Sequence, residues 1–165
     1  MALRVIVTGK DPILRKISRP VEVFDQKLWT LLDDMAETMY KYEGVGLAAV
    51  QVGILKRVVT INVGEGLIEL VNPEIIAAEG EQTGLEGCLS IPGKFGIVTR
   101  PYTVRVRAQD RDGNFFEVED EELTARCFCH EIEHLDGHLF VEHTDHLMTE
   151  EELEEYMNQQ EEDEE

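Results

Sequence analysis

Apolar side chains recur at Leu28, Leu32, Met35, Met39 and Tyr42, in steps of four and three with polar residues between them. That period predicts an amphipathic helix over residues 25–42, with Asp25 as its N-cap and Gly44 as its stop. The pattern then changes. "RVVTINV", "LIELVNP", "YTVRVRAQD" and "FFEVE" alternate or are rich in β-branched and aromatic residues, the signature of strands, and "DRDGN" between the last two predicts a hairpin. From about Glu121 the helical period returns and should end near Gly137. Thr149 with Glu152 forms a capping box ahead of a short acidic helix. These elements predict an α+β fold: small antiparallel or mixed sheets packed around one central helix.

Length and composition narrow the picture. A chain of 165 residues, 42% hydrophobic and 30% charged, is long enough to bury one real core and reads as one globular domain over residues 1–147, with an acidic C-terminal helix and tail over 148–165. The opening "MALRVIVTGKDP" has only a few consecutive apolar residues, too few for a signal-peptide core, and no run approaches a membrane span. A cytoplasmic protein with no membrane partner is therefore expected. The net charge is −20, but residues 147–165 alone hold 10 acids and no base, and "NQQEEDEE" reads as a frayed, solvated end. This balance argues against direct nucleic-acid binding, which needs a concentrated basic face. Three cysteines, Cys88, Cys127 and Cys129, are too few for a disulfide framework. Cys127 and Cys129 project about 200° apart around a helix, so they cannot chelate one ion together and are expected to pack as small apolar groups.

The predicted central helix carries the candidate chemistry. In "CFCHEIEHLDGHLF", His130, Glu131 and His134 spell H-E-x-x-H. Residues four apart share a helix face, so two imidazoles can reach one ion while Glu131 stands beside them to handle water. A catalytic site of this kind wants a third protein ligand and an open position. His138 continues the row but would lie about 12 Å from His130 along a straight helix, too far for one ion. A third histidine in the H-E-x-x-H-x-x-G-x-x-H layout would fall on Phe140, which excludes it. Glu154, twenty residues after His134, has a spacing some peptidases use. Cys88, in "GLEGCLSIPGKFG", is a strong ligand type set among glycines that allow a loop or strand edge to line a site. On these residues alone both Glu154 and Cys88 stay open. A further stretch, "EGVGLAAVQVG", is rich in small residues that let a peptide backbone lie close, and Gln51 ends it with a neutral donor.

Taken together, "GVGLAAVQ", "EGCLS" and "HEIEH" resemble, in order and separation, the three motifs of the peptide deformylases, and the similarity runs from "DPILR" through "LDGHLF". The resemblance implies a hydrolase that removes the formyl group from N-formylmethionyl peptides of nascent chains and releases formate. It implies Cys88, His130 and His134 as ligands of one divalent metal ion, Fe(2+) in the cell, with Zn(2+), Ni(2+) or Co(2+) able to occupy the isolated protein. Glu131 would be the acid/base, Gln51 and the Leu89 N–H would hold the formyl oxygen, and Gly46 would contact the peptide backbone. Val45 and Leu123 are expected near the methionine side chain. Three positions depart from the family pattern: Glu133 where aspartate is usual, Val50 where proline is common before Gln51, and Cys129 where glutamine usually precedes the first histidine. For Glu133 the expected partner is Arg100. A transient position near the ribosome follows from the substrate, though the acidic end is unlike a basic segment that would dock on RNA.

Overall fold

A computed structural model describes residues 2–164. The first helix, α1 (Gln26–Lys41), starts where expected: the Asp25 carboxylate accepts from the Lys27 and Leu28 amides at 3.1 and 3.3 Å. A short strand β1 (Gly46–Ala48) follows, then a 3-10 turn over Ala49–Val52. Strands β2 (Val58–Ile61), β3 (Ile68–Glu79), β4 (Gln82–Cys88), β5 (Ile91–Arg100), β6 (Thr103–Gln109) and β7 (Phe115–Glu121) lead into α2 (Glu122–Leu135), a 3-10 turn (Phe140–His143) and α3 (Glu150–Glu164). One sheet has the order β1-β2-β3-β6-β7, antiparallel throughout; β4 and β5 form a separate two-stranded ribbon.

The strand period of two assigns each face a helix. In β1 and β2, Leu47 and Val58 pack with Leu28, Leu32, Met35 and Met39 of α1. Their neighbours Ala48, Val59 and Ile61 turn the other way, joining Val104, Val106 and Ala108 of β6 against Ala125, Phe128, Ile132 and Leu135 of α2. Buried on nearly all sides, α2 is the central helix that the pattern predicted. Cys127 and Cys129 lie in that core, 5% and 6% exposed, as small apolar packers.

Three features refine the sequence reading. The strand begun by "LIELVNP" runs on to Glu79, past a register shift between Val71 and Glu74 that encloses Asn72 at φ +51°. Of the loop or strand edge expected around Cys88, the structure shows the strand, a ribbon whose register shifts between Gly87 and Cys88; its glycines admit close neighbours, since a Cβ at Gly96 would meet Thr144 and one at Gly87 would meet Phe95. The acidic helix is longer than expected. The Thr149–Glu152 box caps α3, which continues to Glu164 through Glu and Gln, both good helix formers. Paired backbone bonds between Phe95 and Met148, at 2.6 and 3.0 Å, tie the segment before α3 to β5.

Candidate metal centre and active site

Two elements bring the chemistry together. On α2, the four-residue step sets His130 and His134 on one face, with ring centroids 5.0 Å apart. Facing them is β4, whose inward positions at this end include Glu86 and Cys88, two apart on one face of the strand. Cys88 Sγ lies 3.4 Å from His134 Nε2, and donor atoms of Cys88, His130 and His134 all lie within 4.8 Å of one another. Glu131 stands against this trio: its Oε2 is 4.0 Å from His130 Nε2 and its Oε1 is 3.9 Å from His134 Nε2. Glu154, the other candidate for a third ligand, is exposed on α3 and is not in the group.

These residues fit a metal ion on three counts. A thiol and two imidazoles are the soft and borderline donors that zinc or ferrous iron takes. His130 presents Nε2 inward because its Nδ1 is 2.8 Å from Glu86 Oε1; a carboxylate there accepts the Nδ1–H and fixes the tautomer. Finally, Glu131 Oε1 is buried and has no protein partner, a polar atom aimed where a bound water would satisfy it. Burial holds His134 well below its ordinary pKa, so its ring is a neutral donor. His130 is pulled two ways: burial opposes a charge, while Glu131, Cys88 and Glu86 outweigh it and raise its pKa, favouring a proton that a bound cation would displace. Burial also pushes the Glu131 carboxyl up to about 7, where a group can both take and return a proton near neutral pH.

Gln51, 1% exposed on the 3-10 turn, has its amide orientation fixed. Ala48 N–H donates to Oε1 at 2.9 Å, so Nε2 points toward Ser90 Oγ (3.1 Å) and Cys88 Sγ (3.4 Å). Gly46 shares the α2-facing side of β1 with Ala48. A Cβ there would come 2.5 Å from Glu131 Oε2 and 2.9 Å from its Cγ. The absence of a side chain at Gly46 thus makes room for Glu131. A cavity of about 660 Å³ opens over the site, lined by Val45, Gly46, Gln51, Cys88, Leu89, Leu123, His130 and Glu131. Val45 and Leu123 are 41% and 48% exposed at its mouth, apolar surface available to a ligand.

Beneath the trio lies a group that the sequence did not disclose. Glu86, buried, accepts from Arg100 Nε and Nη2 at 2.9 and 3.0 Å, from Arg126 Nη1 at 2.6 Å, and from His130. Burial would raise its pKa, but His130 and Arg100 outweigh that and hold its carboxyl well below the usual carboxylate range. Arg100 also donates through Nη1 to Glu133 Oε1 at 2.7 Å, the pairing expected for Glu133. Two carboxylates thus face two guanidiniums, a balanced cluster that can stay charged out of water.

The polypeptide deformylase family model matches residues 3–150. The chain belongs to the polypeptide deformylase family. A peptide deformylase of Agathobacter rectalis is 61% identical over 142 residues, covering 86% of this chain and 90% of that protein. A Thermotoga maritima peptide deformylase structure superposes with a TM-score of 0.85 at 40% identity, covering 87% of this chain and 99% of that one. The Ehrlichia chaffeensis enzyme, solved in complex with actinonin, gives 0.86 at 39% identity over 88% and 90% of the two chains. Metal-dependent removal of N-formyl groups is the activity of this family, and the chain is a hydrolase of that class. Its α+β architecture is the family's. No helix among the described residues is long and apolar enough to cross a membrane.

Proposed function

We propose that this chain deformylates N-formylmethionyl peptides of nascent proteins in the cytoplasm, near the ribosome but without contacting nucleic acid. In this reading residues 1–147 are the catalytic domain and 148–165 an acidic appendage. Cys88, His130 and His134 hold one divalent metal ion, Fe(2+) in the cell, with Zn(2+), Ni(2+) or Co(2+) able to substitute in the isolated protein. The observation that carries the proposal is the convergence of those three donors, within 4.8 Å, on the carboxylate of Glu131 at the floor of a peptide-sized cavity.

When bound, the metal supplies Lewis acidity that lets water act as a nucleophile near neutral pH. The chain's own residues do the rest. Glu131 takes a proton from water, and the oxygen so freed bonds to the formyl carbon. Negative charge moves onto the formyl oxygen, where Gln51 Nε2 and the Leu89 N–H donate to it; one such donor is typically worth ~10²–10³ in rate. Glu131 then returns its proton to the peptide nitrogen as the C–N bond breaks, leaving formate and a free amino terminus. Burial, which pushes its carboxyl pKa upward, helps it hold the proton between the two transfers. Gly46, on the edge strand β1, would meet the peptide backbone, and Val45 and Leu123, which line the same cavity, would meet the methionine side chain. Arg100 and Glu133 keep the ligand set oriented through Glu86.

The test compares metal content and reaction. The protein, purified without oxygen and reloaded with Ni(2+), should hold one ion per chain and release formate from formyl-Met-Ala-Ser but no acetate from acetyl-Met-Ala-Ser. Cys88→Ser should lose the ion and Glu154→Gln should keep it. The opposite pattern would transfer the third ligand to Glu154 and overturn the proposal.

A further inference from the structure

The ion cluster under the metal trio does not end at Glu133. His143, on the 3-10 turn before α3, places its Nε2 3.0 Å from Glu133 Oε1 and 3.1 Å from Oε2. From there contacts of 3.0 Å or less run inward: Glu133 to Arg100, Arg100 to Glu86, and Glu86 to His130 Nδ1. The other two histidines of this segment lead nowhere. His138 meets Glu142, and His146 meets Glu152, both on the surface.

The geometry gives His143 a specific task. Arg100 uses Nε and Nη2 as a fork on both oxygens of Glu86, a planar arrangement that fixes how Glu86 faces His130. The remaining arm, Nη1, is anchored by a single bond to Glu133 Oε1. Glu133 is only half-buried, and one bond to one oxygen leaves its carboxylate free to turn about its last torsion. A second group within reach of both oxygens, as His143 Nε2 is, removes that freedom. Among the described residues only His143 and Arg100 hydrogen-bond or ion-pair with that carboxylate. His143 is itself exposed, so its effect is one of orientation through hydrogen bonding.

We propose that His143 is a positioning residue for the metal centre: it clamps Glu133, which steadies the Arg100 fork on Glu86 and so the orientation and tautomer of His130. The inference rests on the reading of His130 as a ligand. Loss of a direct partner of a metal-binding histidine typically costs about 10–100-fold in affinity. His143 acts through three intervening residues, so its loss should cost less, about 3–10-fold.

The experiment measures Zn(2+) affinity by competition with a chromophoric chelator, the visible spectrum of the Co(2+) form, and kcat and KM on formyl-Met-Ala-Ser. His143→Ala should weaken Zn(2+) about 3–10-fold, shift the Co(2+) bands and lower kcat with KM little changed. His143→Gln, which keeps a nitrogen donor, should restore most of the affinity. In a Glu133→Ala background, or Glu133→Gln if that variant does not fold, His143→Ala should add nothing further. His138→Ala should behave as wild type. Wild-type Zn(2+) affinity and Co(2+) spectrum in His143→Ala, with formate release intact, would overturn this inference alone. A full His143→Ala effect persisting without the Glu133 carboxylate would overturn it too, by placing the action elsewhere. Wild-type protein that binds no Zn(2+) would instead remove the metal-centre reading beneath it.

Discussion

Gly46→Ala tests whether the space left at Gly46 sets the placement of Glu131. The added Cβ would stand 2.5 Å from Glu131 Oε2 and 2.9 Å from Cγ, where ordinary contact begins at 3.4 Å, so the carboxylate must retreat by roughly 0.9 Å. The backbone can yield little, because β1 is paired with β2 and packed between α1 and α2 through Leu47 and Ala48, both fully buried. Glu131 is buried as well, so it cannot swing into open solvent. A displacement of about 1 Å at a reacting group costs on the order of 10² in rate. The variant should therefore bind metal like wild type, since the three heavy atoms nearest the new methyl all belong to Glu131 and not to Cys88, His130 or His134, and its kcat should fall about 100-fold. Steady-state formate release beside metal analysis measures both. Wild-type kcat in a folded, metallated Gly46→Ala protein would refute the claim that the glycine makes room for the acid/base. Lost metal would mean that the perturbation had spread to the ligands.

Replacing Glu86 by Gln should weaken metal binding about 10–100-fold, read by chelator competition, because an amide cannot satisfy Arg100, Arg126 and the Nδ1–H of His130 together. The same carboxylate should contribute to acid sensitivity. Its folded pKa is depressed from 4.5, so the stability it contributes is complete above that value and is lost as pH falls through the folded one; denaturant melts of metal-free protein should show Glu86→Gln with the flatter acid limb. Burial pushes the Cys127 and Cys129 thiols up to about 12 and about 11, so a thiol reagent at pH 8 should label metal-free native protein only at Cys88, and all three cysteines after unfolding.

Much of the fold was legible because its signals were local. The α1 stripe, the Asp25 cap, the β6–β7 hairpin and the H-E-x-x-H helix each declare themselves within a few residues, and the structure places them as read. The β4–β5 ribbon was only half legible, as a loop or a strand edge, since its glycines suit either and are explained only by what they touch: Phe95, Thr144 and Arg126. Glu86 escaped for a related reason. It stands in "EGCLS" beside the cysteine that drew attention, and its partners come from β5 and α2, 14 to 44 residues away. One signal was available: on a strand, Glu86 and Cys88 share a face, so a carboxylate two residues before a candidate ligand points into the same site. Gly46 was expected to serve the substrate backbone, and the sequence held no hint that it also shapes the space of Glu131, 85 residues away in the chain.

The most direct test of the whole account is formate release from formyl-Met-Ala-Ser by Ni(2+)-loaded protein, measured side by side with Glu131→Ala at equal metal content. The account predicts robust release by the wild type and near-complete loss in the variant while the ion stays bound. Undiminished release by metallated Glu131→Ala would contradict the assignment of the acid/base, and no release by fully metallated wild type would contradict the deformylase function itself.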